Sequence, residues 1–177
     1  MVDWDAIVAR EGPGVWRTAY RLLGNHADAE DCFQETFLSA FALSRHESFV
    51  HPTALLHRLT TARALDRLRR RYRHARRENS VLELNEPPAQ GAGPSQLAEA
   101  AELSERLRAA LAMLPAKQAE AFCLFYLDGW DYARMAPHLD SSVNGVGVLL
   151  HRARHKLRQI LAEVPQPEPA ERRESHE

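Results

Sequence analysis

The hydrophobic residues of this chain recur at helical spacing along most of its length, and no segment shows the strict alternation of a half-buried strand. Residues 28–37 give the clearest example. At about 100° per residue, one face of this segment and the turn after it carries mainly apolar side chains, namely Ala29, Phe33, Thr36 and Ala40. The opposite face carries Asp31, Gln34, Glu35 and Leu38. This periodicity predicts an all-α fold.

Leu38 lies among polar and acidic side chains on the face that should be wet. An apolar residue surrounded by carboxylates suits the docking of a basic partner. The alternative is a solvated acidic face with one exposed leucine. The helical wheel taken alone favours this alternative, because single exposed apolar residues are normal.

The composition is that of a soluble globular protein. The chain has 177 residues, of which 45% are hydrophobic and 27% charged, so we expect one or two small domains. No apolar run approaches the roughly 18 residues of a membrane span, and the acidic N-terminus lacks a signal-peptide core. We therefore expect a cytoplasmic protein without membrane insertion. The two cysteines, Cys32 and Cys123, are predicted to be small buried hydrophobic residues.

The net charge of −1 hides a segregated pattern. Residues 53–77 contain nine arginines and a single acid, Asp66. Arg63, Arg67 and Arg70 share one helical face, and Asp66 lies four residues before Arg70, where it can pair with it. Guanidinium groups in such an array suit phosphate, which favours nucleic-acid binding. A basic surface between domains is the alternative.

The chain divides into two predicted helical halves. In the first half, helices are expected near 27–44 and 53–73, and Gly12-Pro13-Gly14 is expected to interrupt an earlier helix. Helical pattern resumes near Leu97 and is broken at Pro115, Gly129 and Asp140. The predicted divisions are two small helical domains at 1–77 and 102–162, a flexible proline- and glycine-containing linker at 78–101, and a disordered tail at 163–177.

The second half contains a predicted helix-turn-helix. Asp131 is a good N-cap for a short helix, residues 140–142 form the turn, and Ser142 is a candidate cap for the next helix. The inward positions of that second helix are Val143, Val146, Leu149, Leu150, Ala153, Leu157 and Ile160. Its other face carries Asn144, Val148, His151, Arg152, His155 and Arg158.

Such a face suits the major groove of DNA. Asn144 can read adenine, Val148 can contact a thymine methyl group, and Arg152 can bind phosphate. An ordinary helical hairpin with a wet face is the alternative. His151 and His155 are spaced like a metal-binding pair, but no third ligand and no catalytic constellation accompanies them. We therefore expect no metal, no cofactor and no enzymatic activity.

Several short motifs occur together in a recognisable order. They are Leu22–Asn25, Asp28–Asp31, Gln34–Phe37, Ala64–Arg70, Leu114–Pro115, Phe125–Gly129 and Leu150–Arg154. On these residues the chain resembles bacterial extracytoplasmic-function (ECF) sigma factors of the sigma-70 family, from about residue 5 to residue 161. Each motif is weak alone, but their order and spacing over both halves make the resemblance specific.

The resemblance implies a function and its sites. The chain would bind the RNA polymerase core and direct it to promoters, docking on the clamp helices of the largest subunit and reaching the flap region. The docking residues would be Asp31, Gln34, Glu35 and Leu38. The minus-ten element would be bound by Phe49, His57, Arg63, Arg67, Arg70 and Arg71, and the minus-thirty-five element by Ser142, Asn144, Val148, His151, Arg152 and His155. An anti-sigma factor is a further implied partner.

Two other hypotheses remain. One is a helix-turn-helix regulator that binds DNA without polymerase, which has no need of an acidic docking helix. The other is a helical hydrolase or metal enzyme that uses the histidines, for which the ligand set is missing.

Some positions depart from the family pattern. Leu55 and Ala62 stand where relatives commonly have Trp and Asn, and Gly145, Gly147 and Leu149 stand where Thr, Lys and Arg are frequent. We therefore expect an unusual or weak recognition of the minus-thirty-five element. Pro137 is expected to kink or end the first helix of the helix-turn-helix.

Overall fold

A computed structural model describes residues 3–45, 52–82 and 96–163. Every regular element in these ranges is a helix, which confirms the all-α prediction. The elements are α1 (Trp4–Leu23), α2 (His26–Ser44), α3 (Pro52–Leu82), α4 (Gln96–Met113), α5 (Ala116–Tyr126), α6 (Tyr132–His138) and α7 (Val143–Glu163). No helix in the described ranges is long and apolar enough to cross a bilayer.

Helix α1 runs without a break through Gly12-Pro13-Gly14, so the predicted interruption is wrong. Proline and glycine in a helix interior cost about 3 and about 1 kcal/mol respectively. Burial of the apolar stripe that includes Val15 and Leu22 offsets this cost. Pro13 itself is exposed, and Gly12 is buried against the ring of Phe33 on α2. A Cβ at Gly12 would meet the Phe33 ring at the ordinary contact distance of 3.7 Å.

The turn from α1 to α2 is formed by a glycine and an asparagine. Gly24 ends α1 with φ 75°, a left-handed conformation that glycine adopts without strain. The side chain of Asn25 then caps α2 by accepting a hydrogen bond from the Asp28 backbone N–H at 2.8 Å. The predicted wheel of α2 is confirmed, since Ala29, Thr36 and Ala40 are buried and Phe33 on the same face is half-buried.

The predicted helix-turn-helix is α6 and α7. Asp131 accepts a hydrogen bond from the Arg134 backbone N–H at 2.7 Å, and Ser142 accepts one from the Gly145 N–H at 3.0 Å. Both predicted caps are therefore confirmed. Pro137 is the penultimate residue of α6, so it marks the end of that helix. Val143 was predicted to be buried and is 50% exposed, because it opens α7 before the first full turn packs against α6.

The two halves share one apolar core. It joins Leu22 of α1 and Leu65 and Leu68 of α3 to Leu111 of α4 and Leu157 of α7. Helix α3 lies against both α4 and α5. The sequence pattern does not predict this packing, because it depends on residues far apart in the chain.

Helices α3 and α4 both extend into the predicted linker at 78–101, because α3 ends at Leu82 and α4 begins at Gln96. Residues 83–95 and the tail from 164 lie outside the described residues, so the flexible linker and the disordered tail stay predictions.

Both cysteines are buried and unpaired, as predicted. Burial raises the pKa of Cys32 to about 11 and also raises the pKa of Cys123.

We expect Leu65→Ala to lower the free energy of unfolding by about 2–5 kcal/mol, because it leaves a cavity in the core that the two halves share. Chemical denaturation followed by circular dichroism measures this change. Leu103→Ala is the matched control, because Leu103 is 60% exposed and its truncation should change stability by no more than about 0.5 kcal/mol. Equal effects of the two substitutions would contradict the shared core.

Candidate nucleic-acid and partner interfaces

The predicted docking residues form one surface on α2. Asp31, Gln34, Glu35 and Leu38 are all exposed along the same side of the helix. Leu38 is 68% exposed, the largest exposed fraction among the large hydrophobic residues in the described ranges. The helix packs into the core through its opposite side, so these four residues lie on the side away from the core. We call these four residues the acidic face.

Two of the predicted minus-ten arginines pair with this acidic face. Arg67 lies between its carboxylates, with Nη2 2.7 Å from Glu35 Oε1 and Nη1 3.5 Å from Asp31 Oδ2. Arg63 Nη1 lies 3.4 Å from Glu35 Oε2, and its other terminal nitrogen bonds Ser39 Oγ. The acidic face and the basic helix, predicted as separate sites, are thus one ion-pair network across an open groove.

Arg70 and Arg71 differ in their surroundings. Arg70 is 67% exposed and bonds Asp66 at 2.7 Å, which confirms the predicted pair. Arg71 donates hydrogen bonds to the Leu23 carbonyl at 2.9 Å and to Glu105 Oε1 at 3.1 Å. Arg71 therefore joins the N-terminal half to α4, which agrees with the interdomain alternative for part of the arginine array.

Glu105 is the acceptor at the centre of this junction. It receives hydrogen bonds from Tyr72 at 2.6 Å and from Arg108 at 3.2 Å, besides the one from Arg71. Burial alone would raise the pKa of Glu105. The Tyr72 hydrogen bond and the Arg71 charge outweigh burial and lower that pKa.

Phe49 and His57 are the two remaining residues of the predicted minus-ten site. Phe49 lies outside the described residues. The side chain of His57 is only 13% exposed, and its Nδ1 lies 3.2 Å from Asp128 Oδ2. Among the described minus-ten residues, Arg70 alone is largely open to solvent.

The predicted minus-thirty-five residues are all exposed on α7 or at its start. They are Ser142, Asn144, Val148, His151, Arg152 and His155. Ser142 also caps the helix, so its hydroxyl serves the turn. The other five lie on the side of α7 that faces away from the buried Val146 and Leu150.

The glycines of α7 flatten its first two turns. A side chain at position 145 would collide with the Ser141 hydroxyl unless Ser141 changed rotamer. A Cβ at position 147 would only reach ordinary contact with the Tyr132 ring, 3.6 Å away. The tight turn therefore accounts for the glycine at position 145. Gly147, which has no side chain, lines a shallow depression together with Asn144 and Val148.

Sequence reasoning missed a polar contact between the two halves. Thr18 of α1 donates a hydrogen bond to Asp128 Oδ1 at 2.5 Å, while His57 contacts the other oxygen of the same carboxylate. Arg21 donates to the Leu127 carbonyl at 2.9 Å. These partners are separated by 71 to 110 residues, so no local pattern could reveal them.

The two histidines of α7 are spaced four residues apart. His151 and His155 are exposed on α7. Within the described ranges, no group of three or more potential metal ligands comes together.

Comparison with known proteins places both halves in one family. The model of Sigma-70 region 2 matches residues 7–74, and that of Sigma-70, region 4 matches residues 104–157. The chain is 36% identical over 162 residues to the ECF RNA polymerase sigma factor SigE of Mycolicibacterium smegmatis, covering 92% of this chain and 63% of SigE. It thus spans less than two thirds of that relative's length.

Two other relatives match this chain over a larger share of their own length. The ECF RNA polymerase sigma factor SigW of Bacillus subtilis is 26% identical, with 85% of this chain and 84% of SigW covered. The RNA polymerase sigma factor CarQ of Myxococcus xanthus is 29% identical, with 91% and 90% covered.

A solved structure supports the same fold. The sigma factor RpoE of Bartonella quintana, in complex with the anti-sigma factor NepR, matches with a TM-score of 0.53 at 22% identity, covering 92% of this chain and 99% of RpoE. The region 2 match carries the acidic face and the basic helix, and the region 4 match carries the helix-turn-helix. This chain belongs to the sigma-70 family, and two of the relatives that it resembles are ECF sigma factors.

Proposed function

We propose that this chain binds the RNA polymerase core and directs it to specific promoters. The observation that carries the proposal is the acidic face of α2, with Leu38 exposed at its end. A DNA-binding regulator that works without polymerase gains nothing from a carboxylate face beside its basic helix. A partner with basic side chains around an apolar notch complements this face.

Leu38 is the anchor of the proposed docking surface. Burying a leucine side chain in a partner contributes about 1.5–3 kcal/mol. Glu35 and Asp31 are already paired with Arg67, so basic residues of the polymerase clamp helices would join or replace that guanidinium. Exposed ion pairs contribute only about 0–1 kcal/mol each, so such an exchange costs little.

The basic helix α3 is the proposed minus-ten surface. Guanidinium groups bind phosphate through planar forks of donors, and Arg70 is the group best placed to begin this contact. Leu55, at a position where relatives commonly have Trp, is half-buried against the core of the N-terminal half. Base capture therefore depends on other groups, and Phe49 is the aromatic residue that we assign to it.

The exposed face of α7 is the proposed minus-thirty-five surface. Asn144 is placed to read adenine and Val148 to contact a thymine methyl group. His151, Arg152 and His155 follow along the same face, where they approach the phosphate backbone. Gly147 lets the helix backbone approach the groove closely.

In this proposal the chain contributes binding energy and the polymerase performs the chemistry. Residues 1–77 dock on the clamp helices and bind the minus-ten element, and residues 102–162 approach the flap region and bind the minus-thirty-five element. The contacts offset the cost of unstacking bases, which is a few kcal/mol per step. We place the protein in the cytoplasm, and we infer an anti-sigma factor as its regulatory partner.

We expect Leu38→Glu to weaken binding to core polymerase by about tenfold or more, since it places a charge where the proposed complex buries an apolar anchor. Pull-down with purified core and run-off transcription on a genomic promoter library measure the loss. Leu103→Glu makes the same change at an exposed position of α4 and should leave both readouts unchanged. Full core binding by Leu38→Glu would contradict the docking role that we propose for the acidic face. Wild-type DNA binding without any core binding would instead favour a polymerase-independent regulator.

We expect Asn144→Ala to lower discrimination between matched and mismatched minus-thirty-five sites by about 1–3 kcal/mol, because it removes a base contact. Arg152→Ala should weaken binding to all sequences alike, because it removes a phosphate contact. Band-shift titrations with the selected promoters and their single-base variants distinguish the two effects. Gln159→Ala, an amide lost from the exposed C-terminal part of α7, is the matched control. Unchanged specificity in Asn144→Ala would contradict its assigned role.

A further inference from the structure

Glu11 is a buried carboxylate on the core side of α1, and the proposed function does not use it. It occupies the apolar stripe of that helix between Ile7 and Val15, and its side chain is only 11% exposed. Burying a carboxylate costs free energy unless hydrogen bonds and opposite charge replace its water. An apolar side chain would fit this stripe without that cost, so the acid points to a requirement other than core packing.

One oxygen of this carboxylate joins α1 to the start of α3. Glu11 Oε1 accepts a hydrogen bond from Thr53 Oγ1 at 2.7 Å and another from Arg10 Nε at 2.7 Å. Thr53 is the second residue of α3, where the backbone N–H groups have no partner within the helix and a nearby negative charge is favourable. Burial would raise the pKa of Glu11, but the two hydrogen bonds and the charge of Arg10 outweigh it and lower that pKa. Glu11 is therefore an ionised acceptor for the Thr53 hydroxyl.

We propose that Glu11 is a positioning residue for minus-ten recognition, which acts by holding Thr53 and with it the first turn of α3. The inference rests on the proposed function, in which α3 binds the minus-ten element. Glu11 is too buried to contact DNA, so its effect passes through the residue that it holds. Both residues lie within the region 2 match at residues 7–74, so the contact needs nothing from the second half of the chain.

The apolar packing at the start of α3 does not replace this contact. Leu56 is buried in one cluster with Ile7 and Val15 of α1, and Leu55 packs against the same cluster. Apolar contacts are not directional, and helix ends fray when nothing else holds them. A hydrogen bond to a charged acceptor is directional, so it fixes the position of Thr53 more closely than packing does.

The position of Thr53 bears on base capture because Phe49, to which we assign this role, is four positions earlier in the sequence. Phe49 itself lies outside the described residues. Four residues span at most about 14 Å, so a fixed Thr53 limits the volume that the Phe49 ring can search. Holding a binding group near its bound position reduces the entropy that is lost on binding. The contact between Glu11 and Thr53 thereby favours capture of an unpaired base.

Thr53→Val tests the inference in the holoenzyme assembled from core polymerase and the full chain. Valine keeps the shape of threonine and removes the hydroxyl donor, while Arg10 still pairs with Glu11. The first probe is a single-stranded oligonucleotide that carries the minus-ten element of a promoter selected from the genomic library. We expect its affinity to fall at least about fivefold in fluorescence anisotropy, because a hydrogen bond to a charged group is lost. The second probe is a duplex that carries only the minus-thirty-five element, and its affinity should not change.

Two control variants separate positioning from a general loss of stability. Thr61→Val makes the same substitution in α3 at a buried hydroxyl that has no hydrogen-bond partner in the described part of the chain, so it should leave both affinities unchanged. Thr53→Ser keeps the donor and should keep the wild-type affinity for the minus-ten probe. Equal losses on both probes with Thr53→Val, or the same loss with Thr53→Ser, would contradict the positioning role.

A double-mutant cycle identifies Glu11 as the acceptor through which Thr53 acts. Glu11→Leu restores the apolar stripe of α1 and removes the acceptor, so it should lower the minus-ten affinity about as much as Thr53→Val does. If the two residues act through one contact, the double variant loses no more affinity than the weaker of the two single variants. Losses that add in full would overturn the assignment of Glu11.

The same probes separate this inference from the proposed function. If the wild-type holoenzyme binds neither probe, the proposed promoter recognition fails and the positioning role fails with it. If the wild type binds the minus-ten oligonucleotide and Thr53→Val binds it equally well, promoter recognition stands and the positioning role alone is contradicted.

Discussion

The apolar side of α3 is the constraint on which the rest of the structure depends. Leu65 and Leu68 enter the core that joins both halves, and Leu56 packs with Ile7 and Val15. Because a helix repeats every 3.6 residues or so, burying this stripe necessarily presents Arg63, Arg67 and Arg70 along another side. Core packing and the proposed polyanion binding therefore depend on the same helix, and neither can shift register without disturbing the other.

The pairing of Arg63 and Arg67 with the acidic face links the two proposed binding surfaces. The acids would otherwise repel one another along α2, and the guanidinium groups reduce this repulsion. Since such exposed pairs are weak, they orient the side chains but can be broken at little cost in free energy. A partner that binds the carboxylates would therefore change the charge that the arginines present on the proposed DNA-binding surface.

Local sequence chemistry predicted the features that depend on neighbouring residues. The faces of α2, the Asp66–Arg70 pair, the caps at Asp131 and Ser142, and the burial of both cysteines all follow from periodicity and short-range hydrogen bonding. The continuity of α1 through Pro13 did not follow, because tertiary packing overrides the local cost. The partners of Arg67 and Asp128 lie on other helices, so their pairing depends on how the helices assemble and leaves no mark in a short window of sequence.

The burial of both thiols has a consequence for signalling. Oxidants and electrophiles react with thiolate, and a thiol with a pKa of about 11 is almost entirely protonated near neutral pH. Cys32 and Cys123 are the only cysteines of the chain, and neither is accessible. The two thiols are therefore poorly placed to carry an oxidative signal by direct reaction.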